Sequence, residues 1–293
     1  MLLLTPEELA RVEAGSFLTV AAPLRPQDFT VTTWNICYGT SYEQERDALA
    51  SVMRSDVLLL QEVDRMTHRT RDRKSGLARN VPVLLARDLG MQYAYGIEFQ
   101  ELKQDGRGQP AFTGQQTLST YPLSHQTTVR FTHQLADWSR GWLGFMEKRN
   151  GGRMFLYNQA QIGGVPVHLY NVHLESRATD EEKTLQVHEI LAHVERIAPR
   201  AEPVIIAGDL NTRDSEKSAV VKLLLQSGFT DPFHVQNPAE MATNSHGDKR
   251  LDWVFSRNLV PIRARVAAAF WGSDHRALSV SYRMPRLPSV ASR

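Results

Sequence analysis

Short apolar runs that stop on a polar, chemically active side chain recur along this sequence, and they constrain its fold more than any other feature. Phe29 to Asn35 alternates into a β-rich run, and Asp56-Val-Leu-Leu-Leu-Gln-Glu62 reads as a buried strand ending on polar residues. Val165 to His173 and Val204-Ile-Ile-Ala-Gly-Asp-Leu-Asn211 follow the same pattern, and Asp252 and the pair Asp274-His275 lie beside later runs. Runs this short, bounded by turn residues, are strands rather than helices. The ends of buried strands are rigid platforms from which side chains can converge on one crevice.

Between these runs the pattern changes period. Thr5 before Pro6, Glu7 and Glu8 marks a leading helix over residues 5–14, and residues 43–54, 80–89, 180–197 and 216–227 are predicted helices. Gln92 to Glu98, Thr117 to Ser119, Met154 to Ile162, Leu251 to Phe255, Arg263 to Ala268 and Leu278 to Tyr282 are predicted strands, with an irregular middle after Pro122. Gly163-Gly164, between two strand-like runs, is the strongest hairpin signal, because paired glycines accept positive φ. Hairpins mixed with strand-helix units imply an α/β layered architecture of mixed sheets covered by helices.

The bulk numbers fit one globular unit. Of 293 residues, 42% are hydrophobic and 23% charged, and no Pro/Gly/Ser-rich stretch divides them. A net charge of +2 does not by itself point to a polyanionic partner, and the single Cys37 cannot form an internal disulfide. Leu2, Leu3 and Leu4 are followed at once by Pro6, Glu7 and Glu8, so no signal peptide is expected. No apolar run approaches the ~20 residues of a membrane span. The expectation is a soluble, cytoplasmic monomer.

The polar residues at the run ends define the chemistry. A carboxylate such as Glu62 at the lip of a core needs a cation or a donor, and either Arg65 or a helix N-terminus would also satisfy it. Zinc would call for close His/Cys ligand spacing that the sequence does not offer, so a hard cation such as Mg²⁺ is the better match. In Gly208-Asp209-Leu210-Asn211 the glycine allows close backbone approach, and Asp and Asn two apart can share a target. The Asp can deprotonate a water and the Asn can donate to an anion, although an Asx turn has the same composition. Ser273-Asp274-His275 sets a carboxylate beside an imidazole that Asp252 could hold. No serine sits in a Gly-x-Ser-x-Gly elbow, and no glycine-rich phosphate loop appears.

Six stretches in order, TTWNI (32–36), LLLQEVD (58–64), NVHLES (171–176), IIAGDLN (205–211), RLDWVF (250–255) and SDH (273–275), resemble the motifs of the endonuclease/exonuclease/phosphatase superfamily over residues 29–282. That superfamily includes deoxyribonuclease I, apurinic endonucleases, neutral sphingomyelinases and inositol polyphosphate 5-phosphatases. The resemblance implies a four-layer α/β/β/α sandwich of two mixed β-sheets flanked by helices. It divides the chain into an N-terminal helix and extension (1–28), a catalytic domain (29–284) and a tail (285–293). It implies Glu62 as principal metal ligand, with Asn35 positioning metal or phosphate and Asp274 in the metal shell. Asp209 would deprotonate the attacking water, Asn211 would stabilise the transition state, and His275, held by Asp252, would contact phosphate. His173 matches a histidine that protonates or stabilises the leaving oxygen. Mg²⁺ is the implied cofactor, with Mn²⁺ as substitute. Gly114-Gln115-Gln116 departs from the family's Gly-Asn-Ala, so Gln115 stands where a phosphate-contacting asparagine is usual.

The substrate is less legible. HLES with Arg177, together with GDLNTRD, is similar to the second type of tyrosyl-DNA phosphodiesterase, which favours a nucleic-acid phosphodiester. A phosphatase or phospholipase C-like enzyme acting on inositol phosphates or sphingomyelin-type lipids is the alternative, and a non-catalytic binding module is a third. Arg69, Arg71, Arg73, Lys74 and Arg79 could contact flanking phosphates or form a solvated loop. Trp138, Trp142 and Phe145, with Arg140, could stack bases, touch lipid or pack down a long loop between residues 131 and 152. Trp271 is expected at the crevice rim as a substrate contact, and Trp253, beside Asp252, should face the opposite side of its strand.

Overall fold

The computed structural model describes residues 3–19, 26–104, 109–139, 148–212, 217–233, 241–245, 247 and 249–284. The larger sheet has eight strands. Seven run in the order β1 (Val12–Ser16), β4 (Gln92–Glu101), β5 (Ala111–Ser119), β3 (Val57–Arg65), β2 (Asp28–Tyr38), β13 (Leu278–Arg283) and β12 (Val260–Val266), and β7 (Arg149–Gly151) also pairs with β4. The smaller sheet runs β11 (Asp252–Arg257), β10 (Val204–Asp209), β9 (Val165–His173), β8 (Met154–Ile162) and β6 (Leu123–Arg130). Each sheet has one parallel pair, β2 with β3 and β9 with β10, among antiparallel neighbours, so both are mixed.

Period-two alternation turns these strands into layers. Phe29 and Val31 of β2, Val57 and Leu59 of β3, and Leu169, Ile205 and Val254 of the smaller sheet pack together between the sheets. The alternate residues Trp34, Ile36, Leu58 and Leu60 face away, against helices α2 (Tyr42–Ala50) and α3 (Val81–Leu89). On the far side, Tyr170, Val172, Ile206 and Trp253 pack under α4 (Asp180–Ile197) and α5 (Ala219–Gln226). Three apolar cores between four layers make the expected α/β/β/α sandwich.

Several local expectations are corrected. The leading helix stops after one turn, as α1 (Pro6–Leu9), and Val12–Ser16 forms β1, which completes the free edge of β4. The irregular middle contains β6, a half-exposed edge strand whose polar composition hides it from a hydrophobicity reading. The strands bearing Asn35 and Glu62 do not end there but run on to Tyr38 and Arg65. The Gly163-Gly164 hairpin is present, with φ of +61° and +82° and Ile162 paired with Val165. Trp142, Phe145, Arg140 and the 285–293 tail lie outside the described residues.

Candidate active site

Strand register alone sets the first row of functional side chains. Asp209 is the last residue of β10, opposite His173 on parallel β9 and opposite Asp252 on antiparallel β11. The three therefore stand side by side at one level of the smaller sheet. Gly208, one residue earlier, is required there: its φ is +149°, and a Cβ would lie 1.8 Å from the Val172 carbonyl oxygen.

The larger sheet contributes through bulges. In β3 the pairing with β5 passes from Leu60↔Gln116 to Val63↔Gly114, so two residues, Gln61 and Glu62, oppose Gln115 alone. Plain alternation would send residue 62 to the helix side with Leu58 and Leu60. The bulge, with Glu62 at φ +51°, gives that outward place to Val63 and turns the Glu62 carboxylate to within 4.0 Å of His173 Nε2. A second irregularity, between Asn35 and Tyr38 of β2, holds Cys37 and Tyr38 at positive φ.

One oxygen is the meeting point. Asp209 Oδ2 accepts from Asn35 Nδ2 at 3.2 Å and lies 3.6 Å from His173 Nε2 and 3.9 Å from His275 Nε2. Asp209 Oδ1 accepts from the Asn211 backbone N–H at 2.9 Å, an Asx turn that fixes the carboxylate's rotamer. His275 Nδ1 lies 2.7 Å from Asp252 Oδ2, and its backbone is pinned by Trp34 Nε1 and Ser273 Oγ. Burial works against a charge on His275, but the carboxylates of Asp252, Asp209 and Asp274 outweigh it and push the imidazole up to about 10.

His173 is held from behind by residues the sequence reading left out. Arg153 Nη1 donates to its Nδ1 at 2.9 Å and to Glu98 Oε1 at 2.6 Å, while Glu98 Oε2 is 3.4 Å from the same ring nitrogen. Arg153 as a donor favours an accepting Nδ1 and Glu98 as an acceptor favours a protonated one, and between them they hold the ring with Nε2 facing Asp209 at 3.6 Å. Burial opposes the Glu98 charge, but Arg153 and His173 hold its carboxyl down to about 2. Glu98 falls where the predicted strand 92–98 ends, so the same run-end signal was present for it. Arg153 sits just before β8, with no signal beyond its two preceding glycines.

The other expected residues separate. Asn211, at φ +51°, donates through Nδ2 to the Leu174 carbonyl at 3.1 Å, which among the described residues leaves one amide N–H uncommitted. Burial, followed by the Asp274 and Glu62 charges, pushes the Cys37 thiol up to about 12. Both carboxylates thus flank Cys37. Gln115 is fully buried between the sheets, its Nε2 on the Met154 carbonyl at 2.9 Å and its Oε1 without a partner. Its Nε2 keeps a second N–H. Trp271 packs against the helix-side core, and its indole N–H is buried without a partner.

The basic run is broken up by pairing. Arg69 lies on Asp64 and Glu101 and stacks 3.7 Å from the Tyr38 ring centre, while Arg79 bridges Glu43 and Asp72. Trp138 is buried, its Nε1 on Glu175 at 2.9 Å, with the Arg177 guanidinium 3.7 Å above its ring. Trp253 faces the far side of β11 from Asp252, as expected.

The donor set suits a hard cation. Glu62 accepts no hydrogen bond among the described residues and is 22% exposed, and Asp252 Oδ1 is buried without a partner. The ligand atoms of Asp209, Asp252 and His275 lie within 4.8 Å of one another. In that trio Asp252 and His275 already neutralise each other at 2.7 Å, whereas among the described residues Glu62 has no counter-charge closer than 4.0 Å. Glu62 is therefore the carboxylate with most to gain from a cation.

A model of the Endonuclease/Exonuclease/phosphatase family matches residues 32–275. A curated Drosophila melanogaster protein described as "Putative neutral sphingomyelinase" is 30% identical over 187 residues, or 57% of this chain and 38% of that protein. The chain thus spans well under half of that relative's length. An endonuclease/exonuclease/phosphatase from Beutenbergia cavernae superposes with a TM-score of 0.64 at 19% identity, covering 88% of this chain and 72% of the other. TDP2 of D. rerio, complexed with single strand DNA product, gives 0.62 at 20% identity, covering 88% and 100%. At such identities the likeness of the solved structures concerns the fold.

Proposed function

Because the chain belongs to the endonuclease/exonuclease/phosphatase family, we propose that it is a Mg²⁺-dependent phosphoesterase that hydrolyses a phosphodiester of nucleic acid, with Mn²⁺ able to substitute. The observation that carries this reading is the gathering of Asn35, His173 and His275 around one oxygen of Asp209, within 3.2 to 3.9 Å. A carboxylate so surrounded can orient a water and take its proton.

In this reading the Nε2–H of His173 is the proton source for the departing oxygen. His275, charged through its pair with Asp252, faces the phosphoryl oxygens, and the second amide N–H of Asn211 assists it. Glu62, Asn35 and Asp274 would form the ligand set for the cation. When bound, that cation would draw charge from the phosphoryl oxygens. Gln115, fully buried between the sheets, is not part of the proposal, and Trp271 is retained only as a rim residue.

Two observations favour nucleic acid. The exposed Arg177, one residue beyond Ser176 of the NVHLES motif and held 3.7 Å over the buried Trp138 ring, is a cation suited to a flanking phosphate. The D. rerio neighbour carries a single strand DNA product on the same fold. The Drosophila relative favours a sphingomyelin-type lipid instead. That reading expects an exposed apolar rim, and the lipid arm of the panel decides it.

The deciding experiment is a panel with Mg²⁺ or Mn²⁺ over bis-p-nitrophenyl phosphate, DNA, RNA, inositol phosphates and sphingomyelin, with Asp209→Asn as control. Cleavage of DNA or RNA that weakens as salt rises supports the proposal. Preference for sphingomyelin or an inositol phosphate replaces the substrate, and inactivity on the whole panel overturns the enzyme.

A further inference from the structure

We propose that Asn171 is a positioning residue for the Glu62 carboxylate: its side-chain amide, reaching from the smaller sheet into the larger one, locks the bulge that aims Glu62 into the crevice. The inference rests on Glu62 being a cation ligand, as proposed above.

Asn171 opens the NVHLES motif, two residues before His173 on the same inward face of β9, and it is fully buried. All its side-chain bonds go to one place. Nδ2 donates to the Leu60 carbonyl at 2.9 Å and to the Gln116 carbonyl at 3.0 Å, and Oδ1 accepts from Gln61 Nε2 at 2.6 Å. Leu60 and Gln116 are the last regular pair of the β3–β5 ladder before the bulge, and Gln61 is the first bulged residue. A bulge disrupts the ladder locally, and this one also holds a non-glycine residue at positive φ. Such a conformation persists only where its surroundings over-determine it. Three bonds from one buried amide, together with the Gln61 side-chain bond to Thr33 Oγ1 at 3.1 Å, supply that constraint.

The same amide also couples the two halves of the site. Glu62 rides on the larger sheet, while His173, Asp209 and Asp252 ride on the smaller one. Asn171 ties the strand of His173 to the strand of Glu62, so the position of Glu62 against the rest of the site depends on it. No charge or proton at Asn171 takes part; its effect passes through Glu62.

The test is Mn²⁺ affinity, measured by calorimetry or electron paramagnetic resonance on the full chain without substrate. Asn171→Leu keeps the volume and removes the amide. Asn158→Leu is the matched control, since Asn158 is an equally buried inter-sheet amide whose Nδ2 bonds Thr117 Oγ1 at 2.9 Å, away from the bulge. Asn171→Leu should weaken Mn²⁺ binding about 10- to 100-fold, as loss of a ligand's supporting partner does, while Asn158→Leu leaves it within about twofold, well below that range. Gln61→Leu, which removes the bond to Asn171 Oδ1, should weaken binding in the same direction and carries the test if Asn171→Leu does not fold.

Unchanged affinity in Asn171→Leu, or in Gln61→Leu where only that variant folds, overturns the proposal. So does an equal loss in Asn158→Leu, which would mark general loosening of the core. Glu62→Gln separates the premise from the proposal. If the wild type binds Mn²⁺, Glu62→Gln loses it and Asn171→Leu keeps it, only the role of Asn171 falls. If the wild type binds none, the cation reading falls and takes the proposal with it.

Discussion

The Asn35 amide, carried on the larger sheet, donates to Asp209 Oδ2 on the smaller sheet at 3.2 Å. A carboxylate and an amide so joined hold the two sheets in register at the crevice, and they leave Asp209 oriented without a neutralising partner in direct contact.

Asp209→Asn should therefore keep the fold and lose the reaction. The amide preserves the shape and can still accept from the Asn211 N–H, but it cannot take a proton from water. Turnover should fall about 10²- to 10⁴-fold, the range for removal of a general base, with little change in thermal midpoint. Hydrolysis rates beside circular dichroism melting check this, and near-normal turnover would remove Asp209 from the role.

A cation at Glu62 should appear as stabilisation. A ligand that binds only the folded state at about 100 times its Kd adds about 2.7 kcal/mol, so Mn²⁺ should raise the thermal midpoint of the wild type. Glu62→Gln should respond far less, and chelation should stop turnover reversibly. Equal midpoint shifts in both proteins would place the cation elsewhere.

Gly208→Ala should damage the fold and the site together. The new Cβ would meet the Val172 carbonyl oxygen at 1.8 Å, so β9 and β10 must part where His173 and Asp209 stand opposite each other. Overpacking of this kind costs about 1–3 kcal/mol and sometimes more. A lowered denaturant midpoint with lost activity is the expected result, and a wild-type midpoint would contradict the packing.

His193 should make stability fall in acid. Its ring lies among Phe155, Tyr157 and Tyr170 beneath α4, and burial, with Arg196 and His168 adding repulsion, pushes the imidazole down to about 4. The unfolded chain takes up this proton near 6.5. The contribution is thus fully present above that value and is lost as pH falls through about 4. His193→Gln, which keeps an acceptor for the Tyr170 hydroxyl, should flatten this part of the pH dependence in urea unfolding. An unchanged slope between pH 7 and pH 4 would assign the acid loss to other groups.

What could be read from the sequence follows from how local each signal is. Asp209, His173 and Asp252 end or begin runs whose register makes them neighbours, so finding the runs was enough to find the row. Glu62 was found by its place after an apolar run, but the reason it reaches the crevice was hidden. A bulge depends on the partner strand as much as on the residues in it. Glu98, Arg153 and Asn171 act through residues distant in the chain, and their composition does not distinguish them from ordinary buried polar groups. Gln115 shows the reverse case: its position in the order of motifs suggested a phosphate contact, and only the packed sheets show it fully buried with its Nε2 on the Met154 carbonyl.

By itself, then, the sequence determined the alternation that makes strands, the helices that cover them, and the order in which polar side chains arrive at the strand ends, since these depend on neighbours a few residues apart. The tertiary structure decided which way Glu62 points, that Arg153 and Glu98 hold His173 from behind, and that Asn35 and Asp209 meet across the gap between two sheets. Those outcomes depend on groups brought within hydrogen-bonding distance only when both sheets have formed and packed face to face.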